Sequence, residues 1–468
     1  MTSILNWHRP AVGVIRTEAE CARFALRHSQ TLKIQFCRFD WEAGYRVVAS
    51  REVQEAIERI DRSRDARGNA ALPGQPYPVA GNGTTWTKLS THARSILRRL
   101  PARVQQPLFH YLSIRREAAH AVLNAAREFR RAIRLWRNPL NRVSSVASSS
   151  TPKVRAVPFS RGDVYVSLGL DWDQKNQTYI AESKNRHGFK TLTWCYDVIP
   201  AKYPHLCVGD VSAKFAKYFA DMAWHANEIL CISECSRKDL LALLDQLGAP
   251  TPETSVIRLG SDLAKADGEE ATAHTKEAAG ERFILFVSTI ERRKNHETLY
   301  RAYTQLIERG EKKLPRLVFV GMPGWGVGDF LADLNFDPRI HGLVKVLTNV
   351  SDTDLMWLYE HALFTVFPSL YEGWGLAVAE SLANGKFCLA SNAGSLPEVG
   401  GDLIEYIDPW DVPQWAERLK WYLDHPEELR KREGRIEAEY AAPTWENTAR
   451  TVFARATALR DQEVRKVA

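Results

Sequence analysis

No stretch of this 468-residue chain is apolar over the ~20 residues that a membrane-spanning helix needs. The opening Met1-Thr2-Ser3-Ile4-Leu5-Asn6-Trp7-His8 has no charged segment leading into an apolar one, so no secretory leader is expected. No unit of roughly 20–50 residues recurs, which removes solenoids and propellers from consideration. Cysteine is present but never in a metal or disulfide framework. Cys21, Cys37, Cys195, Cys207, Cys231, Cys235 and Cys388 are odd in number and contain no Cys-x-x-Cys; Cys231 and Cys235 lack a second pair to close a zinc site. Reduced, buried thiols in a cytoplasmic protein are expected.

Acidic residues and lysine are nearly missing from one region. Between Arg94 and Arg142 stand twelve arginines, no lysine and only Glu117 and Glu128, a local charge of +10. The whole chain carries +7, so the remainder carries −3. Leu112, Ala119, Val122, Ala126, Phe129, Ile133 and Trp136 recur at helical steps, with Arg127, Arg130, Arg134 and Arg137 offset by one. Such a helix can lie on an anionic membrane surface, or pack its stripe on the first domain and leave its arginines in water. Both readings stay open. Asn138-Pro139 ends the run, and the Ser/Thr/Pro stretch 144–152 reads as a connector.

A chain this long predicts two or three domains. In the first part, strands are expected at 32–37, 163–167, 192–196 and 229–233. The polar stretch 264–281 reads as a linker. Beyond it, apolar runs at 283–287, 316–320, 343–347, 363–367 and 387–390 alternate with helical patterns at 296–308, 352–362, 376–384 and 412–424. That alternation predicts an α/β protein with a parallel, doubly wound sheet covered on both faces. Such sheets bind ligands at the carboxyl ends of their strands.

The segment 368–385 falls at such an end. Glu372 and Glu380 flank Gly373-Trp374-Gly375-Leu376, a Gly-x-Gly turn opening into a helical run. The turn presents backbone N–H groups to a phosphate. Glu380, at i+8, returns to roughly the same face as Glu372. One carboxylate can then reach what is attached beyond the phosphate, and the other a ribose. Arg292-Arg293-Lys294-Asn295 follows the strand 283–287, where cations suit a diphosphate. Phe319-Val320-Gly321-Met322-Pro323-Gly324-Trp325 ends the next strand, and Ser391 to Val399, containing Gly394 and Ser395, follows another. Ser351-x-x-Asp354 reads as a helix cap. In the first part, Gly13 and Arg16 lie in a glycine-containing turn, Tyr196-Asp197-Val198-Ile199-Pro200 ends a strand, and Ser233 and Ser236 lie in a strand-to-helix turn.

These segments resemble the Glu-x7-Glu retaining glycosyltransferases of family 4, the glycosyl transferases group 1, which include bacterial polysaccharide hexosyl- and mannosyltransferases. The resemblance covers the chain outside roughly 50–150. Two positions depart from it: Ser288 stands where many relatives have glycine, and Tyr196 where the family has histidine.

The resemblance implies the GT-B fold, two doubly wound Rossmann-like domains facing a cleft. It implies an acceptor-binding domain at 1–262 with a basic helical insert at 50–150. A linker at 263–281, a nucleotide-sugar donor domain at 282–445 and a helix at 446–468 returning to the first domain complete the plan. It implies Glu372 and Asp197 as catalytic, and Arg293, Lys294, Gly373, Trp374, Gly375, Leu376, Glu380, Gly394 and Ser395 as donor-binding. Gly13 and Arg16 would serve the acceptor. Neither a cofactor nor a metal is expected; no Asp-x-Asp ends a donor-domain strand. The expected partners are a nucleotide diphosphate sugar, a glycan or lipid-linked saccharide and, through 94–142, an anionic membrane surface. Two other classes compete. A nucleotide-sugar epimerase shares the fold, and an arginine-rich nucleic-acid binder would use the basic segment, although no nucleic-acid module accompanies it.

Overall fold

Strands of three to six residues, most of them apolar, build two parallel sheets. The computed structural model describes residues 1–8, 11, 13–41, 43–65, 158–207, 211–263 and 270–467. The arginine stretch 94–142, and the predicted insert beyond residue 65, lie outside the described residues.

An antiparallel hairpin comes first, β1 (Phe36–Asp40) with β2 (Gly44–Val48). The strand expected at 32–37 thus starts later and pairs outside the parallel sheet. β3 (Val164–Val166), β4 (Lys190–Cys195), β5 (Glu228–Cys231) and β6 (Glu253–Val256) form the first parallel sheet, in that order. The second holds β7 (Phe283–Val287), β8 (Arg316–Val320), β9 (Val344–Leu347), β10 (Thr365–Phe367), β11 (Cys388–Ser391) and β12 (Glu405–Ile407). Its spatial order is β12-β11-β10-β7-β8-β9, every described pairing parallel.

The second sheet is buried on both sides because both faces of its strands are apolar. Ile284 and Phe286 pack with Leu299, Tyr303 and Leu306 of the helix His296–Glu308, and with Trp415 and Leu419 of Val412–Asp424. Phe283 and Leu285 point the other way, against Leu358 and Tyr359 of Asp352–His361. Ser351 caps that last helix by accepting the Asp354 N–H.

The stretch expected as linker is partly structured. Ala273–Ala279 is a helix, because Thr272 caps a run of good helix formers and Ala279 is buried against the second sheet. The expected insert also begins inside the first domain's core: Val53, Ile57 and Ile60 of Ser50–Asp65 pack with Ile15 and Ala22 of Gly13–Arg27. The final helix, Trp445–Val467, lies on Gly13–Arg27 and on β3 and β4, with Phe453 stacked on Phe24 at 5.5 Å. The chain crosses between the sheets twice, side by side: Ser261 N–H donates to Pro443 O, and Asp262 accepts the Trp445 N–H. All seven cysteines are free; Cys37, Cys207 and Cys235 are only half-buried. Among the described residues no helix is long and apolar enough to cross a membrane.

Candidate active site

The order of the second sheet selects the site. The order in which strands are added reverses between the parallel neighbours β7 and β10: β8 and β9 extend to one side of β7, β11 and β12 to the far side of β10. Parallel sheets bind ligands in the crevice outside the carboxyl ends at such a switch point. The loop after β7 carries Arg293 and Lys294. The loop after β10 carries Glu372 to Gly375. The loop after β11 carries Gly394 and Ser395. Three stretches separated by as much as a hundred residues therefore meet at one edge.

Asn295 shapes the first loop. It takes a left-handed conformation, φ 58°, which asparagine tolerates better than most residues. Its buried Nδ2 donates to Pro368 O at 3.1 Å and Pro409 O at 2.9 Å. The chain is thereby turned into His296–Glu308 and the cations are held over the β10 loop.

Glu372 is the hub. Its carboxylate lies 2.6 Å from Lys294 Nζ and 2.9 Å from Arg293 Nη1, and Ser369 Oγ donates to it at 2.6 Å. Glu372, 6% exposed, and Ser369 are buried, while the side chains of Arg293 and Lys294 are partly exposed. Burial alone would raise the Glu372 carboxyl, but Arg293 and Lys294 outweigh that and hold it down to about 2. Lys294 is itself pushed below its ordinary value by burial and by Arg293. Arg293 is raised: the Glu372 and Glu291 carboxylates overcome its own burial, and Glu291 lies 2.8 Å away.

The glycines are explained by proximity. Gly375 has φ 105°, and Leu376–Ala383 starts there without a side-chain cap, so its first-turn amides face the crevice end of β10. Gly394 has φ 64°, and a Cβ there would sit 2.4 Å from Glu372 O and 2.8 Å from Glu372 N. Ser395 completes the support: its N–H and Oγ both donate to Glu372 O at 3.1 Å, and Oγ also donates to Trp374 O at 2.8 Å. Trp374 itself is buried among core side chains, and Leu376 packs beside them.

The first sheet closes the crevice. A Cβ on Gly373 would lie 2.6 Å from Tyr196 O and 2.8 Å from Asp197 Cβ. Ser233 Oγ and Ser236 Oγ both donate to Gly373 O, at 2.7 and 3.0 Å. The serine turn is thus a helix cap, Ser233 accepting the Ser236 N–H, and also a clamp. Asp197 accepts the Ile199 N–H, and burial raises its carboxyl while Arg293 opposes the shift. Arg16 is one of the two residues expected to serve the acceptor. It sits in the first turn of Gly13–Arg27, buried, with Nη1 3.3 Å from Glu380 Oε1. Gly13 begins that helix at φ 50°, with open space where a Cβ would be.

Several contributors were invisible in the sequence. Glu398 accepts the Glu234 N–H at 2.8 Å and the Cys235 N–H at 2.7 Å, so an acid of one lobe caps a helix of the other. Tyr371 donates to Asp239 at 2.6 Å and accepts from Lys202 at 2.8 Å. Tyr359 donates to Glu380 at 3.2 Å. A distant partner leaves no local spacing to read.

With this geometry in place, residues 267–438 match the family described as glycosyl transferases group 1. The chain is 32% identical to O-antigen chain mannosyltransferase B of Escherichia coli over 234 residues, 49% of this chain and 60% of that protein. It is 28% identical to the serotype-specific mannosyltransferase WbdA of Escherichia coli over 198 residues, 40% of this chain and 24% of that protein. The chain thus spans less than two thirds of either relative. Among solved structures, sucrose-phosphate synthase from Thermosynechococcus elongatus aligns with TM-score 0.44 and 19% identity, over 65% of this chain and 72% of that one.

Proposed function

We propose, on the premise that residues 267–438 are a glycosyl transferases group 1 domain, that this chain is a retaining glycosyltransferase of family 4 and the GT-B type. It moves a hexose from a nucleoside diphosphate sugar to a glycan or lipid-linked saccharide in surface polysaccharide synthesis. One observation carries the reading: the partly exposed Arg293 and Lys294 converge on buried Glu372 at the switch point of the second sheet. Mannose is the first sugar to test, because both Escherichia coli relatives are named mannosyltransferases.

Leaving-group charge grows on the diphosphate as the glycosidic bond breaks. Arg293, Lys294 and the amides opening Leu376–Ala383 are already oriented toward it, in a site shielded from water. Glu372, kept ionised by those cations, accepts hydrogen bonds from the sugar hydroxyls under the reacting carbon. Glu380 serves the ribose. Asp197 stands across Gly373 and orients the acceptor hydroxyl or meets positive charge on the sugar; the departing phosphate takes the acceptor proton. Fixed cations supply what a divalent ion would otherwise supply, so transfer is expected to survive chelation. GDP-mannose turnover with and without EDTA tests this. Loss in EDTA, restored by Mg²⁺ or Mn²⁺, contradicts it.

The same proposal gives 94–142 the task of holding the protein on the anionic inner leaflet, near a lipid-linked acceptor. Each basic residue near such a surface contributes roughly 1 kcal/mol, screened over about 8 Å at physiological salt. Flotation with anionic but not neutral vesicles, weakened by salt and by Arg→Glu at 127, 130, 134 and 137, is the expected result. Indifference to anionic vesicles at low salt removes the membrane role and leaves the transferase reading intact.

A further inference from the structure

Arg16 spends an unusual number of constraints on one guanidinium. It is 6% exposed, although it belongs to a surface-starting helix of the first lobe. Nη2 donates to Asp262 O at 2.8 Å, at the point where the chain crosses between the sheets. The guanidinium carbon lies 5.3 Å from the centre of the Trp445 ring, and Asp262 accepts the Trp445 N–H at 2.7 Å. Both chain crossings therefore fix the plane of the fork. What the fork points at is Glu380 Oε1, at 3.3 Å, on a helix of the other lobe. Arg16 Nε is buried and has no hydrogen-bond partner among the described residues.

Glu380 is equally constrained on its other oxygen, which accepts from Tyr359 OH at 3.2 Å. Among the described residues Oε1 receives one long contact, from Arg16, and a carboxylate oxygen can accept two hydrogen bonds. The arrangement leaves acceptor capacity on Oε1 and one spare donor on Arg16, side by side and buried. We infer that Arg16 is a positioning residue of the donor site, supplied by the first lobe. It holds Glu380 ionised and oriented, so that the ribose hydroxyls of a nucleoside diphosphate meet a prepared acceptor only while the lobes are together. This rests on the transferase reading above, and adds to it a residue from the opposite lobe that sets nucleotide recognition.

The electrostatics agree. The charged and titratable groups facing Glu380 are Arg16 from Gly13–Arg27, and Tyr359 and Asp352 from Asp352–His361. Cys388 of β11 lies behind Tyr359. Burial raises the Glu380 carboxyl and Arg16 and the Tyr359 hydrogen bond pull it back toward the ionised form, leaving it at about 7. Removing the Arg16 charge leaves a neutral acid at physiological pH, a poorer acceptor for two hydroxyls.

The test is calorimetric binding of GDP and 2′-deoxy-GDP, and of UDP and 2′-deoxy-UDP, to the full chain. Arg16→Met, Arg16→Lys, Glu380→Gln and the Arg16→Met/Glu380→Gln double variant are compared with it. The unaltered protein is expected to prefer the ribonucleotide by about tenfold or more, as for a hydrogen bond to a charged group. Arg16→Met and Glu380→Gln should each bring that preference near unity, and the double variant should lose no more than either single. Arg16→Lys should keep part of it. Affinity in the unaltered protein should fall below about pH 7 as Glu380 takes up a proton. In Arg16→Met the fall should begin at higher pH. A purely structural Arg16 would lower the melting temperature and leave the ribo-to-deoxy ratio and the pH profile unchanged, which would overturn the inference. So would the absence of any ribose preference in the unaltered protein. Failure to bind either nucleotide, or binding indifferent to Lys294→Ala, would instead bring down the transferase reading, and this inference with it.

Discussion

Glu372→Gln and Lys294→Ala are each expected to lower turnover by a hundredfold or more, about 3 kcal/mol of transition-state stabilisation. Glu372→Gln removes the charge that two partly exposed cations share at 2.6 and 2.9 Å. Under the proposed mechanism, Lys294→Ala removes one of the two charges that meet the leaving diphosphate. The two substitutions should separate in stability from Glu380→Gln. Breaking a buried pair from one side costs on the order of 3–5 kcal/mol, here moderated because Arg293 keeps Glu291. The signs follow from linkage. Glu372 is held near 2, below its ordinary 4.5, so its contribution is full above 4.5 and is lost as pH falls toward 2. Glu380 is raised to about 7, so its contribution is present in acid and is lost as pH rises through 7. At pH 8 Glu372→Gln should melt well below the unaltered protein, while Glu380→Gln should melt at or above it. Circular dichroism and thermal melts beside the turnover assay check all of this. Near-normal rates in Glu372→Gln would remove that residue from the chemistry.

The second sheet was readable because its strands are buried on both faces and its helices are strongly periodic. The predicted 283–287, 316–320, 296–308 and 412–424 coincide with the observed elements. Two of the four edge strands escaped. β6 reads Glu253-Thr254-Ser255-Val256 and β12 reads Glu405-Tyr406-Ile407; a short strand at the edge of a sheet needs no continuous apolar run. The helix Gly13–Arg27 hid behind a glycine that suggested a turn, although Ile15, Ala19 and Ala22 recur at helical steps along its buried face. Within the site, the residues on strand-end loops were legible because glycine, arginine and glutamate at those ends have few other reasons to cluster. The contacts that close the lobes were not. Nothing local to Glu398 announces that it will accept two amides some 160 residues away, and nothing local to Arg16 announces Glu380. Sequence spacing reports neighbours along one element; these pairs exist only once two sheets face each other.

That dependence on exact loop packing makes Gly394→Ala the sharpest probe of how Glu372 is held. Gly394 and Gly401 both have positive φ, 64° and 53°, so alanine at either strains the backbone. Their surroundings differ. A Cβ on Gly401 meets nothing within 4 Å, whereas one on Gly394 would stand 2.4 Å from Glu372 O and 2.8 Å from Glu372 N. Backbone atoms cannot rotate away as a side chain can. The β10 loop must shift, and with it Glu372, whose main-chain carbonyl Ser395 holds and whose carboxylate Ser369 holds. A displacement of about 1 Å at a reacting geometry can cost about a hundredfold in rate. Gly394→Ala is therefore expected to lose about two orders of magnitude in kcat, while Gly401→Ala keeps near-normal kcat and loses only stability. Gly401→Ala thus shows what strain at a positive-φ glycine does to kcat when Glu372 is not moved. Equal kcat in the two variants would mean that the loop after β11 does not set the position of that carboxylate.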